Sequence, residues 1–402
     1  MPKRKITVPI TGKVLKWARE QLNLSLQDLA YKLKVAPEEI ERWEREEAFP
    51  SLTQLRNLAQ ILKKPTAFFL LPEPPKSKPL PTDFRTPPQV IRRGEFSPET
   101  LHSIRLAQDL QEIAVELLKD LGGSPLALPQ TTFEQDPEEV AQRERKRLGV
   151  SIEEQIKLKD FGEALRYWRE LLEKQGIIIF QLSLEEKECR GFALWNELAP
   201  LIVVSNKDVE QARIFTIFHE YAHLLLRESA ICNLEEEFDI PDLEEMRETG
   251  EKERWASRFA AAFLVPSEDL ICFLKTEFGW KGEQREWKIE QIQKIQSRYK
   301  VSRKATILRL IEIKAASWEL YKRFARESQV APEEERPREE KKIKIPLVKR
   351  KLSERGYRFC DLVFEAYERG IIEYRDLLNI LDLKSSYITK LKEEIRMRKT
   401  RK

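Results

Sequence analysis

Residues 213–226 form an almost uninterrupted apolar run that contains two histidines and neither glycine nor proline. A run of this length and composition predicts a buried helix. His219 and His223 are four residues apart in it, so both imidazoles project from one helix face, about one turn apart. Two neutral ring nitrogens at that spacing can bind a single Zn²⁺ at about 2.0–2.1 Å each. This stretch therefore constrains the fold more than any other, because a catalytic zinc site needs a third protein ligand from elsewhere.

Glu220 follows the first histidine and is rotated about 100° away from the ligand direction on a helix. That position favours action on a water molecule beside the metal over metal binding. The alternative is that both histidines are hydrogen-bonded core residues. It is disfavoured because the chain has only 3 histidines, and the third, His102, lies in a polar helical stretch.

A second helix is predicted over residues 251–265, with apolar residues at helical spacing. Pro266 ends it, and Ser267 can cap the helix that follows. Glu253 lies one turn before Ala256 on a face of small residues, where two helices can approach closely. Glu253 is therefore the candidate third ligand, although a lone Glu on a helix is usually only solvated.

The residues of these two helices resemble the ImmA/IrrE metallopeptidases of bacteria and their phages. The resemblance covers about residues 80–315 and includes 83–85, 191–193, 201–206 and 301–302. By position it implies that His219, His223 and Glu253 are zinc ligands and that Glu220 is the general base. Ser257 stands where the family usually has Asn. Because that position is not a ligand, we expect the departure to affect helix packing rather than chemistry.

Three short apolar segments, 177–182, 191–195 and 201–205, predict a small antiparallel sheet that leads into the histidine helix. The expected fold class is therefore mostly α with a small antiparallel β-sheet, an α+β zincin-like peptidase domain by resemblance. No group that would complete oxyanion stabilisation is evident. Tyr221 is expected to point away from the ligand face, and Arg213 or His102 would serve only if the fold brings them close.

Residues 10–70 predict five short helices. Their expected bounds are 10–22, 26–33 capped by Ser25, 37–46 opened by Pro37, 51–62 and 66–70. One core is predicted for this segment, made of Leu15, Ala18, Leu22, Leu29, Ala30, Leu33, Val35, Ile40, Trp43, Leu52, Leu55, Leu58 and Leu62.

The same segment resembles the helix-turn-helix of the Xre/Cro repressor family, which places the third helix in the DNA major groove. The candidate DNA-contacting residues are Gln27, Glu38, Glu39, Glu41 and Arg42. Residues 37–47 carry six Glu against two Arg, a surface that phosphates repel. The basic residues 3–5 can compensate. DNA binding and reuse for protein contacts or dimerisation therefore both remain open.

Composition divides the rest of the chain. The expected domains are 1–71 (helix-turn-helix), 72–98 (a proline-rich linker), 99–328 (metallopeptidase), 329–346 (a charged linker) and 347–402 (a C-terminal helical module with a basic tail).

Residues 341–402 carry 18 Lys/Arg against 9 Asp/Glu. Any polyanion is therefore expected to bind at the chain ends. The alternative interpretation of the basic tail at 396–402 is a solvated terminus.

No apolar run approaches the length of a membrane span, and residues 1–5 do not resemble a secretory signal. The 4 cysteines are scattered without a Cys-x-x-Cys pair, which favours a reducing, cytoplasmic location.

The resemblance implies a regulatory zinc-dependent endopeptidase that cleaves a repressor-type protein, often one with an Xre-type domain, in a stress or mobile-element response. Zn²⁺ is the expected cofactor, and Mn²⁺ is the alternative for a site with a carboxylate ligand. The competing hypothesis is a DNA-binding regulator or antitoxin-like protein whose zinc-site domain senses or binds partners without proteolysis. The expected partners are a protein substrate, DNA through residues 1–71, and a second copy in a homodimer, with no membrane.

Overall fold

The computed structural model describes residues 7–76, 80, 82–83, 96–185, 188–232, 249–330 and 346–400. The chain divides into two compact units, one comprising residues 1–80 and 88–106 and the other 81–87 and 107–402. Most of both predicted linkers, the basic residues 3–5, Phe84, Arg85 and residues 401–402 lie outside the described residues. No helix in the described part is long and apolar enough to cross a membrane.

The first unit is helical, as expected. Its helices are α1 (Gly12–Glu20), α2 (Leu26–Leu33), α3 (Pro37–Glu44), α4 (Leu52–Ile61) and the start of α5 (Pro98–Asp120). Ser25 caps α2 by accepting from Asp28 N–H, and Pro37 opens α3 at its first turn, both as predicted. The predicted fifth helix, Thr66–Leu70, is a 3₁₀-helix. It lies between Pro65 and the extended Leu71, and short connecting helices of this kind are often of the 3₁₀ type.

The core of this unit agrees with the predicted residues except at two positions. Leu29, Ile40 and Trp43 are among the fully buried side chains. Leu52 is 44% exposed, because it occupies the first position of α4 directly after the Ser51 cap and faces outward there. Val35, in the turn between α2 and α3, is only partly buried.

The second unit holds a five-stranded sheet surrounded by helices. Its strands are β1 (Thr82–Asp83), β2 (Ile178–Leu182), β3 (Gly191–Leu194), β4 (Leu201–Ser205) and β5 (Ala230–Cys232). Its helices, after the end of α5, are α6 (Pro137–Arg147), α7 (Ile152–Ile156), α8 (Phe161–Lys174), α9 (Glu210–Leu225), α10 (Thr249–Leu264), α11 (Ser267–Phe278), α12 (Ile289–Tyr299), α13 (Arg303–Glu312), α14 (Trp318–Val330), α15 (Leu347–Arg355), α16 (Tyr357–Glu368), α17 (Tyr374–Leu381) and α18 (Ile388–Thr400).

The sheet is mixed, with strand order β1-β5-β3-β4-β2. The expected antiparallel pairing holds for β3, which lies antiparallel to both β4 and β5. The two outer pairings, β2 with β4 and β1 with β5, are parallel. The chain reverses direction between β2 and β3 and reverses again between β3 and β4. After these two reversals β4 runs in the same direction as β2.

Both faces of the sheet are covered. Every residue of β2, β3 and β4 is buried, which explains why these strands are continuous apolar runs rather than alternating ones. Helix α9 packs across β3 and β4. A cluster of aromatic rings holds the surrounding helices, with Trp168 edge-on to Phe218 at 5.1 Å between centroids.

The C-terminal helices dock on the edge strand β2 and on α8. Phe180 of β2 meets Phe359 of α16 edge-on at 5.3 Å. The side-chain amide of Gln181 donates to the Ser353 carbonyl at 3.1 Å. The basic C-terminal end is not simply solvated, because α18 continues to Thr400 and Arg398 forms an ion pair with Glu170 at 2.6 Å.

Gly356 marks a close approach of these helices to the sheet. Its φ of 72° and ψ of 159° belong to a region that is essentially restricted to glycine. A Cβ there would lie 2.5 Å from a Glu173 carboxylate oxygen and 2.7 Å from the Ile179 carbonyl oxygen. Gly370 has the same φ, 72°, but no atom lies within 4 Å of its added Cβ.

We expect Gly356→Ala to lower the free energy of unfolding by about 2–4 kcal/mol, since backbone strain and overpacking add. Gly370→Ala, with strain alone, is the matched control and should cost about 1–2 kcal/mol. Urea unfolding of the full chain measures both values. Equal losses in the two variants would contradict the close approach at Gly356.

Candidate metal centre

Helix α9 carries the histidine pair, as predicted. Its residues from Ile214 to Leu225 are all buried, so the helix is surrounded by the sheet on one side and by other helices elsewhere. His219 and His223 are both 0% exposed. A polar side chain at that depth needs a partner, because an unpaired buried donor or acceptor costs about 1–3 kcal/mol.

Helix α10 supplies the partner. It packs against α9 through buried small residues, among them Ala256 and Ala260. The rings of Phe218 and Phe263 stack at 4.3 Å between centroids and fix the crossing of the two helices. Glu253, one turn before Ala256, is 5% exposed and lies inside this contact.

Three side chains converge between the two helices. His219 Nε2 lies 3.1 Å from Glu253 Oε2, and His223 Nε2 lies 3.1 Å from Glu253 Oε1. The two Nε2 atoms are 3.3 Å apart. Within the described residues, this is the group of His, Cys, Asp or Glu side chains whose ligand atoms all lie within 4.8 Å of one another.

These distances fit a divalent metal. Bonds of about 2.0–2.1 Å in tetrahedral geometry place neighbouring ligand atoms about 3.3 Å apart, close to the 3.1 Å from each imidazole nitrogen to its carboxylate oxygen and the 3.3 Å between the two nitrogens. Two imidazoles and one carboxylate are also a donor set that zinc accepts, with a fourth position left for water or substrate. The residues present therefore fit the ion that the sequence implies.

The electrostatics of the cluster show strong coupling. Burial lowers the pKa of His219. Burial also opposes protonation of His223, but the charges of Glu253 and Glu228 outweigh it and raise the pKa of His223 to about 10. Although burial alone would raise the pKa of Glu253, the His223 and His219 imidazoles hold it well below its usual range. The carboxylate is thus ionised and bridges the two rings.

Ser257 contributes to the site, which corrects the expectation that it concerns packing alone. Its Oγ lies 3.1 Å from His219 Nδ1, on the ring side opposite the Nε2 that faces Glu253. Ser257 follows Glu253 by four residues and shares its helix face, but that spacing alone does not show which side chain of α9 it contacts. A partner on the second ring nitrogen fixes the tautomer and orientation of a ligating histidine.

A carboxylate that was missed in the sequence, Glu228, lies beside His223. Its Nδ1 is 3.9 Å from Glu228 Oε2, and the other oxygen of Glu228 pairs with Lys252 Nζ at 2.6 Å. Lys252 directly precedes Glu253 in α10. Glu228 follows the end of α9, where a left-handed Arg227 turns the chain. No periodicity of the sequence marks that turn.

Glu220 is also fully buried, and its position depends on Gly191. A Cβ on Gly191, at the start of β3, would lie 3.2 Å from Glu220 Oε1 and 2.4 Å from Thr216 Cγ2. Only glycine allows β3 to approach α9 this closely. The negative charge of Glu220 contributes to the raised pKa of His223, so this carboxylate lies within electrostatic reach of the histidine pair.

The remaining candidates lie elsewhere. Tyr221 points away from the ligands, as expected, and its hydroxyl donates to Glu144 Oε2 at 2.6 Å. Arg213 donates to the Gln181 side-chain oxygen at 2.6 Å, toward the C-terminal helices. His102 belongs to the first unit.

The candidate DNA-contacting residues of the first unit differ in exposure. Gln27, Glu38 and Arg42 are exposed on α2 and α3. Glu39 is partly buried and accepts from Gln54 Nε2 at 3.2 Å, and Glu41 forms an ion pair with Arg45. The surface of α3 thus keeps its acidic character, with two of the carboxylates engaged within the unit.

Comparison with known proteins agrees with this geometry. Residues 172–310 match the family model described as IrrE N-terminal-like domain, a peptidase family. Residues 15–69 match a helix-turn-helix family model. A search of curated proteins finds no match. The predicted resemblance is confirmed as a similarity over these two ranges, to an IrrE-like peptidase family at 172–310 and to a helix-turn-helix family at 15–69.

Proposed function

We propose that this protein is a regulatory zinc-dependent endopeptidase fused to a helix-turn-helix domain, and that it cleaves a repressor-type protein in a stress or mobile-element response. The observation that carries the proposal is the convergence of His219, His223 and Glu253 between α9 and α10. The peptidase family match over 172–310 supports the same reaction class.

In this proposal His219 and His223 would hold the metal through ring nitrogens, and Glu253 would hold it through its carboxylate. Zn²⁺ is the ion we propose, with Mn²⁺ as the alternative because one ligand is a carboxylate. When bound, the metal would polarise a peptide carbonyl and acidify a water molecule at neutral pH. Ser257 keeps the His219 ring in place through Nδ1.

Glu220 is the proposed general base. Its carboxylate accepts a proton from the attacking water and then delivers that proton to the nitrogen of the departing amine, so the same oxygens serve both steps. Burial of the side chain favours this role because bulk water does not compete for the proton. The helix backbone fixes Glu220 beside His219, and Gly191 leaves room for its carboxylate.

Glu220→Gln tests the catalytic assignment. We expect the variant to retain its metal, since Glu220 is not a proposed ligand, and to lose cleavage by about 10²–10⁴-fold. Cleavage is measured by mass spectrometry after incubation of the zinc-loaded chain with purified Xre-type repressors. Glu251→Gln, on the exposed side of α10, is the control and should cleave normally. Wild-type rates in Glu220→Gln would exclude this residue as the base.

Ser257→Ala tests the orientation of His219. Loss of the Oγ contact at 3.1 Å should weaken zinc affinity by about 10–100-fold, the usual effect of removing a group that orients a ligand. Competition with a chromophoric chelator measures the affinity. Ser257→Asn, which restores the residue usual in the family, should bind zinc within about threefold of wild type. An unchanged affinity in Ser257→Ala would show that Ser257 only fills space.

The competing proposal is a DNA-binding regulator in which the metal domain senses or binds a partner without cutting it. The helix-turn-helix match over 15–69 favours it. DNA binding through residues 1–71 is part of both proposals, as is a homodimer. They differ in whether Glu220 matters for the biological output.

A gel shift on the protein's own promoter region tests the regulator proposal. If α3 contacts bases, Arg42→Ala should weaken the specific shift by about 1–3 kcal/mol. Glu38→Ala should strengthen it, because one carboxylate is removed from a surface near phosphates. A specific shift that is indifferent to both variants would exclude α3 as the recognition helix.

A further inference from the structure

The C-terminal helices repeat the local architecture of the N-terminal helix-turn-helix. Helices α2 and α17 each span eight residues and begin with a capping box, Ser25 with Asp28 and Glu373 with Asp376. Each ends in a left-handed residue, Lys34 with φ 58° or Asp382 with φ 48°.

The backbone hydrogen bonds of the two turns also correspond. The N–H of Lys34 donates to the Tyr31 carbonyl, and that of Asp382 donates to the Asn379 carbonyl. The next N–H donates to the carbonyl five residues earlier in both cases, at 3.1 Å each. Residues 34–36 and 382–384 then lead into the following helical segments, α3 and the 3₁₀ turn that opens α18.

The buried positions follow the same register. Counted from the left-handed residue, Leu29, Leu33, Ile40 and Trp43 of the first motif correspond to Leu377, Leu381, Ile388 and Leu391 of the second. All of these are at most 9% exposed. These four positions are therefore buried in both motifs, and the positions of Glu38 and Arg42 are exposed in both.

The exposed positions differ in chemistry. In the first motif they are Glu38 and Arg42, beside the partly buried Pro37 and Glu41. In the second they are Ser385, Ser386, Thr389 and Lys390, which we call the α18 reading face, and all four are exposed. Hydroxyl and ammonium groups hydrogen-bond base edges and phosphates, whereas carboxylates repel phosphates. Arg375, exposed on α17, corresponds to Gln27.

A third turn of this kind shows that the backbone turn alone does not create a binding surface, because the second helix must also be exposed. Helices α12 and α13 are joined through the left-handed Lys300. There the positions that correspond to Thr389 and Lys390 are Ile307 and Leu308, both buried. That motif therefore serves the core of the peptidase unit and offers no surface to a ligand.

Residues beyond the first turn of α18 attach it to the neighbouring helices, and the first turn remains exposed to solvent. Lys392 forms an ion pair with Glu368 of α16 at 2.5 Å, and Arg398 lies over the Tyr357 ring at 3.4 Å from its centroid. Residues 385–402 carry seven Lys/Arg against two Glu. A segment with net positive charge, whose exposed side is free of these contacts, can bind a polyanion.

We propose that α17 and α18 form a second helix-turn-helix that binds duplex DNA, with the α18 reading face in the major groove and Arg375 at the phosphates. This site is separate from the N-terminal motif and from the metal centre. It assigns DNA contact to the module that follows the peptidase domain, and it holds whether or not the enzyme cleaves a repressor.

Fluorescence anisotropy of the full chain with a labelled duplex of about 30 base pairs, at about 50 mM salt, tests the proposal. We expect Arg375→Glu/Lys390→Glu to raise Kd by at least about tenfold. Lys275→Glu/Lys281→Glu makes the same charge change on exposed residues of the peptidase unit and should change Kd by less than about threefold. Thermal melting confirms that both variants fold.

A second measurement does not depend on the variants folding. Hydrogen exchange of the wild-type chain with and without the duplex should show protection of residues 385–392. Protection confined to 15–69 would overturn the proposal, as would equal loss of affinity in the two double variants or no loss in Arg375→Glu/Lys390→Glu. An RNA duplex that competes as well as DNA would also overturn it, because the A-form major groove does not admit side chains.

Discussion

The contact between α9 and α10 is the constraint on which the metal centre depends. It places an ionised carboxylate, 5% exposed, against two imidazoles that are 0% exposed. Burying such a charge is costly unless it is paired or coordinates a metal. Here Glu253 lies 3.1 Å from each ring nitrogen that faces it. The same packing that builds the core therefore builds a site whose donor atoms are already at metal-ligand spacing.

Small residues allow α9 and α10 to pack closely, and glycines allow neighbouring parts of the chain to approach them. Ala256 and Ala260 allow α10 to come close to α9, and Gly191 allows β3 to lie against Thr216 and Glu220. Gly356 performs the same task at the edge strand β2, where the C-terminal helices dock. Close packing in the second unit thus depends on backbone positions at which an added side chain would clash.

Helical periodicity and residue type were sufficient to predict α9, α10 and the three residues that converge between them, because spacing along a helix fixes direction. They were insufficient for Ser257, whose contact with His219 depends on how two helices cross, and for Glu228, which follows a left-handed turn. The parallel pairing of β2 with β4 was missed because strand order is a long-range property. Leu52 was wrongly placed in the core because its position after a cap outweighs its hydrophobicity.

Zinc anomalous diffraction from crystals of the zinc-loaded full chain tests the central claim most directly. The account predicts one strong peak at bonding distance, about 2.0–2.1 Å, from His219 Nε2, His223 Nε2 and a Glu253 carboxylate oxygen. It also predicts that a fourth position at the ion faces away from these protein ligands. No peak between α9 and α10, or a peak whose four neighbours are all protein atoms, would contradict a catalytic metal centre in this chain.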